Sequence, residues 1–273
     1  MSMNSLILAW RAIRARAYVR VVGGNRELSW LFSEVVLPVV SLAAYIFIYR
    51  SLNAPRQYEA LVVLGGAMIP FWVGVLWGMA SQFYWEKEMG NLDLFMASPM
   101  HPVSLLLGMA VGGMFMSLVR ATGVILVGVF VFRVEFAIRE PGLLIALFLL
   151  TMTSLFSLGM AASSIYFMVG RLGLKLNMIL MEPVYLLSGL FFPVNKFGPV
   201  MLLIAALIPL TLGLDGIRQL MIVHQQNIGF LSPASEAAIL LAMTVAFTIG
   251  AERLMKRLEQ KGKRDGTMTL RWQ

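Results

Sequence analysis

The chain has no cysteine and only two histidines, His101 and His224, which lie in different segments. Without cysteine there is no disulfide, no thiolate metal site and no cysteine nucleophile. Histidines so separated suggest no metal pair. Catalytic signatures are missing too. No G-x-x-x-x-G-K-[ST] phosphate loop occurs, so the chain is not expected to hydrolyse ATP in the P-loop manner. H-E-x-x-H and G-x-S-x-G are also absent, which removes a zinc-hydrolase and one serine-hydrolase signature. Charged residues make up only 13% of the chain, and the balance is basic, 22 Lys and Arg against 14 Asp and Glu. These absences leave a pathway or a scaffold rather than an enzyme, with no catalytic residue and no metal site assigned.

What is abundant is apolar. Hydrophobic residues reach 59%, above the roughly 45–50% of soluble domains, and several runs approach or exceed the ~20 residues that cross a bilayer. The chain therefore reads as an integral membrane protein in contact with lipid. In that setting a basic excess marks cytoplasmic flanks rather than nucleic-acid binding. Arginines interrupt the first 26 residues, which does not fit the apolar core of a cleavable signal, so the first true span is expected to act as an uncleaved anchor.

Residues 4–22 pattern as a helix lying on the membrane. Leu6, Trp10, Ile13, Ala17 and Val21 recur at helical spacing, bordered by Arg11 and Arg14 on one side and Arg16 and Arg20 on the other, the layout of an interfacial amphipathic helix. Spans are expected at about 30–49, 58–81, 103–132 and 142–169, with a fifth ending at Phe192-Pro193 and a last one at about 233–250. The fourth carries small residues, Ser157, Gly159, Ala161, Ala162, Ser163 and Ser164, which let helix backbones approach closely. Gly74-x-x-x-Gly78 and Gly108-x-x-x-Gly112 are further small-x-x-x-small faces. Trp30, Tyr49 and Trp85 are placed as interfacial anchors.

One apolar tract, 176–222, is too long for a single crossing and is broken after Pro193. Two crossings there would put the basic tail (Arg253, Lys256, Arg257, Lys261, Lys263, Arg264 and Arg271) outside, and one would leave it inside with the Arg-rich N-terminus. The charge rule favours one crossing. Pro199, Pro209 and Gly213 break the helix, and Asp215 and Arg218 are costly at mid-bilayer. Residues 195–222 are therefore expected to form two short outer helices, re-entrant or interfacial, joined near Pro209. Leu210, Leu214, Ile217 and Met221 make their apolar stripe, with Asp215, Arg218 and Gln219 off it. Irregular backbone at that depth must be buried in protein or face water, which makes the pair a candidate gate.

The expected fold is thus an all-α membrane protein with six transmembrane helices, an N-terminal interfacial amphipathic helix over 1–26, and a re-entrant or outer helical pair between spans five and six. Residues 1–273 form one domain. Three acidic or basic residues fall within or near spans. Glu34 is close enough to the inner interface to reach headgroups. Arg120 lies about 25 Å and Glu182 about 10–15 Å from the inner ends at 1.5 Å per residue, so pairing them requires tilt or a shifted boundary. Glu182, preceding Pro183, either lines a transport route or makes a structural polar contact. The charged segment 86–101 is read as cytoplasmic, starting helical and stopping at Pro99. It is either a docking helix for a soluble partner or a solvated loop.

Two stretches in order resemble the ABC-2 family of ATP-binding-cassette transporter permeases. Glu86-Lys-Glu88-Met-Gly90-Asn91-Leu92-Asp93-Leu94, with Pro99, is similar to the family's acidic-x-Glu-x-Gly-Thr-Leu-Glu segment; Asn91 and Asp93 replace the usual Thr and Glu. Ser188-Gly-Leu-Phe191-Phe192-Pro193, then Ile208-Pro209-Leu-Thr211 and Asp215-Gly-Ile-Arg218, resemble its Ser-Gly-x-Phe-x-Pro and Asn-Pro-Leu-Thr-x-x-x-Asp-x-x-Arg pattern, with Ile208 in place of Asn. The resemblance implies a permease subunit of an ATP-driven exporter in a prokaryotic cytoplasmic membrane, with both termini cytoplasmic. It implies a homodimer of permeases, each bound to a separate cytoplasmic ATPase that holds ATP and magnesium, while this chain binds no cofactor. Glu86, Glu88, Gly90, Asp93 and Pro99 become the coupling residues. Glu182, Ser188, Phe191, Phe192, Pro193, Pro209, Asp215 and Arg218 become the pathway or gate. An ion-gradient-driven secondary transporter and a non-transporting scaffold or sensor are the alternatives.

Overall fold

Proline sets where half of the described α-helices begin. Pro102, Pro141, Pro199, Pro209 and Pro233 each open one, a position where the ring's fixed φ suits the helix and the missing N–H costs no bond. The computed structural model describes residues 3–26, 28–91, 102–222 and 229–265. Its α-helices are α1 (Met3–Asn25), α2 (Leu28–Ser51), α3 (Gln57–Val75), α4 (Gln82–Glu88), α5 (Pro102–Phe130), α6 (Pro141–Val169), α7 (Arg171–Leu187), α8 (Pro199–Ala206), α9 (Pro209–Met221) and α10 (Pro233–Asp265). A π-helical turn, Leu76–Ala80, joins α3 to α4. Among the described residues all regular structure is helical.

Five stretches are long and apolar enough to cross a membrane: α2, α3 continued into α4, α5, α6 and α10. The expected fifth span is α7. It starts earlier than expected, at Arg171, and ends at Leu187 because Gly189 turns the chain with φ 60°. At 17 residues it spans about 26 Å. Helices α8 and α9 are bent by 100° to one another, the geometry of a broken span or of a re-entrant pair. The last helix runs well past Gly250, so Arg253, Lys256 and Arg257 continue it rather than forming a separate tail.

The buried centre is α3, whose residues from Glu59 to Trp72 are all buried. It packs on α5, α2, α9 and α6. The small residues of α6 work on two sides. Ser157 Oγ lies 2.9 Å from Thr248 Oγ1 of α10, and a Cβ on Gly159 would sit 3.1 Å from Val75 of α3. Both small-x-x-x-small faces are occupied. A Cβ at Gly74 would lie 2.9 Å from Ser117 Oγ of α5, and one at Gly108 would lie 2.7 Å from the Ile13 carbonyl of α1. Gly112 receives Ala17 and Arg20 in the same way.

That seating corrects the reading of α1. Its buried side runs through Ala12, with Ile13, Arg16, Ala17 and Arg20 half-buried. Trp10 and Tyr18 are 65% and 67% exposed. Arg16 and Arg20 therefore face the bundle, toward Glu86 and the Gly78 carbonyl, rather than bordering an apolar stripe. The glycine surface of α5 has no side chains to offer, so α1 approaches with its small residues, and the adjacent arginines are carried inward with them. The Tyr49 hydroxyl donates to the Phe191 carbonyl at 2.9 Å, and its ring stacks on Tyr58.

Candidate functional site

The broken tract closes around one arginine. Arg218, on α9, is 0% exposed. Its guanidinium donates to the carbonyls of Gly189 (2.8 Å), Leu190 (2.7 Å) and Leu61 (2.9 Å). Two of those acceptors belong to the turn after α7 and the third to α3, so one side chain ties together three parts of the bundle. A left-handed Gly189 presents the turn's carbonyls inward. Gly65 has no Cβ because the Leu190 carbonyl occupies that place.

The rest of the tract is arranged around this tie. Ser188 is buried and Thr211 Oγ1 approaches its hydroxyl at 3.4 Å. Phe191 stacks on Tyr45 at 4.2 Å, and Phe192 meets Phe197 edge-on at 5.6 Å. Pro193 is buried in extended backbone, and Pro209 is buried at the first turn of α9. Ile208, where the resembling pattern has Asn, leaves α9 without a side-chain cap.

Asp215 lies one turn before Arg218 and supplies a nearby negative charge. Its Oδ2 accepts from Gln219 Nε2 (2.9 Å) and from the Phe230 amide (3.2 Å). The buried carboxylate of Glu236, at the start of α10, lies beside it. The polar side of α9 is thus inside the protein rather than toward water: every residue from Pro209 to Arg218 is buried. Burial among backbone acceptors is how the chain meets the cost of charge at that depth. Ser188, Phe191, Phe192, Pro193, Pro209, Asp215 and Arg218 are brought together. Glu182 is not; it lies exposed on α7.

The other end of α3 carries the charged segment. The helix continues through α4 to Glu88 and stops at Gly90, whose φ is 75°. Glu86 is only 3% exposed. It is ion-paired with Arg16 of α1 and accepts from Gln82 (2.7 Å) and Asn91 (3.1 Å). Its carboxylate therefore faces the chain's own N-terminal helix and is not a docking surface. Glu88 is half-buried, while Trp85 and Met89 are exposed. Asp93 and Pro99 lie outside the described residues.

Arg120 pairs with Glu34 of α2, not with Glu182. Gly123 admits Val35 against α5, at 3.2 Å from where a Cβ would be, and this brings the neighbouring Glu34 within reach. Glu34 is thus held by Arg120. The sequence reading also passed over Asn177, a fully buried polar residue on α7. Its Nδ2 donates to Ser81 Oγ (2.6 Å) and to the Leu76 carbonyl (3.2 Å). Leu76 opens the π-turn, a break in the helical ladder of the kind that clusters at functional sites. A lone Asn in an apolar span was the available signal.

Burial lowers the Arg16 guanidinium's proton affinity. Arg20 is pushed down to about 10 by burial, with Arg120 and Arg16 adding to the effect. No group of three or more metal-ligating side chains occurs among the described residues.

Comparison with curated proteins finds no match. Residues 11–222 match the family described as ABC-2 type transporter. That range takes in α1 from Arg11 on, the charged segment after α4, and the tract closed by Arg218, which is most of the chain. The chain belongs to the ABC-2 type transporter family and is a multi-pass membrane permease of that class.

Proposed function

We propose that this chain is the membrane subunit of an ATP-driven exporter, works as a homodimer, and is driven by a separate cytoplasmic ABC ATPase that docks on the segment beginning at α4. The observation that carries the docking is the division of labour at that helix end. Glu86 is committed inward to Arg16, while Glu88, Met89 and Gly90 remain at the edge. A force applied to Glu88, Gly90 and the following Asp93 and Pro99 reaches α1 through the Arg16–Glu86 pair. It reaches α7 through the π-turn and Asn177. The Arg218 knot then acts as the outer gate at the opposite end of α3.

Glu182 supports the dimer. A carboxylate exposed on a span is costly against lipid, yet Glu182 lies exposed on α7, as do Met178, Ile179 and Leu186. A second copy, or the pathway between two copies, gives that face a setting which lipid does not. In this reading both termini are cytoplasmic and the membrane is the prokaryotic inner one.

The test is reconstitution with the cognate ATPase. Glu88→Lys is expected to uncouple substrate-stimulated ATP hydrolysis from transport while the protein still inserts. Unchanged stimulated hydrolysis in that variant would sink the docking assignment. Transport that survives removal of the ATPase and collapses with the ion gradient would point to a secondary transporter instead.

A further inference from the structure

We propose that Asp215 and Glu236 hold one proton between them at neutral pH, and that this proton fastens α9 to α10. Both carboxyl groups are shut away from solvent, Asp215 at 1% exposed and Glu236 at 0%. They lie beside one another. Gly216 permits the approach, since a Cβ there would sit 2.5 Å from Glu236 Oε2.

The donors around the pair are committed. Gln219 Nε2 and the Phe230 amide both donate to Asp215 Oδ2, and the Glu236 amide donates to the Ser232 carbonyl. Three buried oxygens, Asp215 Oδ1 and both of Glu236, have no hydrogen-bond partner among the described residues. Buried polar atoms are rarely left so, and three acceptors at one place call for a donor.

Charge points the same way. Arg218 is the cation beside Asp215, and its guanidinium donates to three backbone carbonyls. The other elements packed on α9 bring no further cation. Helices α6 and α8 carry no charged residue, and Glu59 of α3 is paired with Arg50. The next charged residue of α10 after Glu236 is Glu252, more than four turns on. Tyr49 of α2 lies near Arg218, with its hydroxyl on the Phe191 carbonyl. Two carboxylates against one guanidinium leave a buried negative charge in excess, and adjacent buried carboxyl groups do not both ionise. A proton on Glu236 removes that excess. It also turns an orphan acceptor into an O–H group for Asp215 Oδ1, a charge-assisted bond. A metal ion fits less well. It takes about six oxygens or more, and Gln219 and Phe230 aim N–H groups at the pair. Parting α9 from α10 would separate the two carboxyl groups, so opening at this seam and release of the proton are linked. The pair stands apart from the ATPase-coupling reading, and its test involves no ATPase.

Infrared spectra of the full-length protein, in an ester-free detergent at neutral pH, should show the carbonyl band of a protonated carboxyl group. Glu236→Gln, which copies the neutral form, should remove that band. Glu182→Gln, at an exposed carboxyl group, should leave it. The folded protein holds one proton more than the unfolded chain, so alkali favours unfolding. Between about pH 6 and 9 the wild type should lose up to about tenfold in its folding equilibrium per pH unit, read as a falling melting point, and Glu236→Gln should lose less. Thermal melting also establishes that each variant is folded; should Glu236→Gln fail to fold, Asp215→Asn, which leaves Glu236 balanced by Arg218, decides in its place. The proposal is overturned by a wild type without the band, by a folded variant that keeps it, or by equal pH dependence of melting in wild type and variant. A band-free wild type stabilised by sodium chloride and not by choline chloride would assign the pair to a metal cation and overturn the proton.

Discussion

Replacing Arg218 by alanine should be the most damaging single change in the outer half of the bundle. The side chain makes three hydrogen bonds to backbone carbonyls, at 2.7–2.9 Å, and is wholly buried. Bonds to a charged donor are worth about 1.5 kcal/mol each at the low end, so three amount to roughly 4–5 kcal/mol. Breaking a buried charged network costs a similar ~3–5 kcal/mol. Alanine takes the guanidinium away from all three carbonyls, and leaves Asp215 without its neighbouring cation. Lysine keeps the charge but cannot fork to three acceptors, so Arg218→Lys should lose about half as much.

For a domain of this size, 1 kcal/mol moves the melting point by roughly 2–4 °C. Arg218→Ala should therefore melt about 10 °C or more below wild type, and Arg218→Lys about midway. Gly65→Ala offers an independent route to the same loss. Its new methyl would displace the Leu190 carbonyl and drag one acceptor away from the guanidinium. Melting followed by size-exclusion fluorescence checks all three. Arg218→Ala melting with the wild type, or Arg218→Lys proving indistinguishable from it, would refute the role given to this arginine.

Other consequences are open to equally direct tests. Glu34→Gln should destabilise the chain by about 1–3 kcal/mol, the cost of leaving a partly buried charged partner short. The exchange Glu34→Arg with Arg120→Glu should recover part of that; no recovery in melting point would argue against the pair. Asn177→Leu removes the donor to Leu76 and Ser81, and should cost about 1–3 kcal/mol while loosening α7 from the π-turn. Wild-type melting together with wild-type coupling would remove Asn177 from the account. Because the chain has no cysteine, Lys196→Cys and Asp265→Cys can be labelled singly in intact cells. Position 196 should react with an impermeant thiol reagent and position 265 should not; reaction at 265 would refute the topology.

Much of this was legible in the sequence, for physical reasons. A bilayer demands long apolar helices, and proline and glycine punctuate them, so the spans fall close to where hydropathy puts them. The break after Pro193 was also visible, and the resemblance to the ABC-2 family picked out Ser188–Pro193 with Asp215 and Arg218. What could not be read was which partner each would take. Arg16 and Arg20 were placed at headgroup depth because helical spacing shows a face but not what covers it. The glycine surface of α5 draws them in. Depth along the helices sets Arg120 apart from Glu182 without naming its partner, and lateral helix packing decides for Glu34. Glu86 carries a motif position whose type suggested an outward contact, yet its side chain turns inward to α1. The π-turn left no periodic signature, and only Asn177 hinted at it.

The central claim is that the segment opening at Glu86 is where an ATPase applies force. The cysteine-free background allows it to be tested at one position. Glu88→Cys, in membranes containing the cognate ATPase carrying a single surface cysteine beside its nucleotide-binding core, should form a crosslink that depends on assembly and changes in yield between the nucleotide-free and ATP-bound states. Arg56→Cys, at the far end of α3, should form none. A crosslink at position 56, or none at position 88 in an assembled complex, would contradict the account.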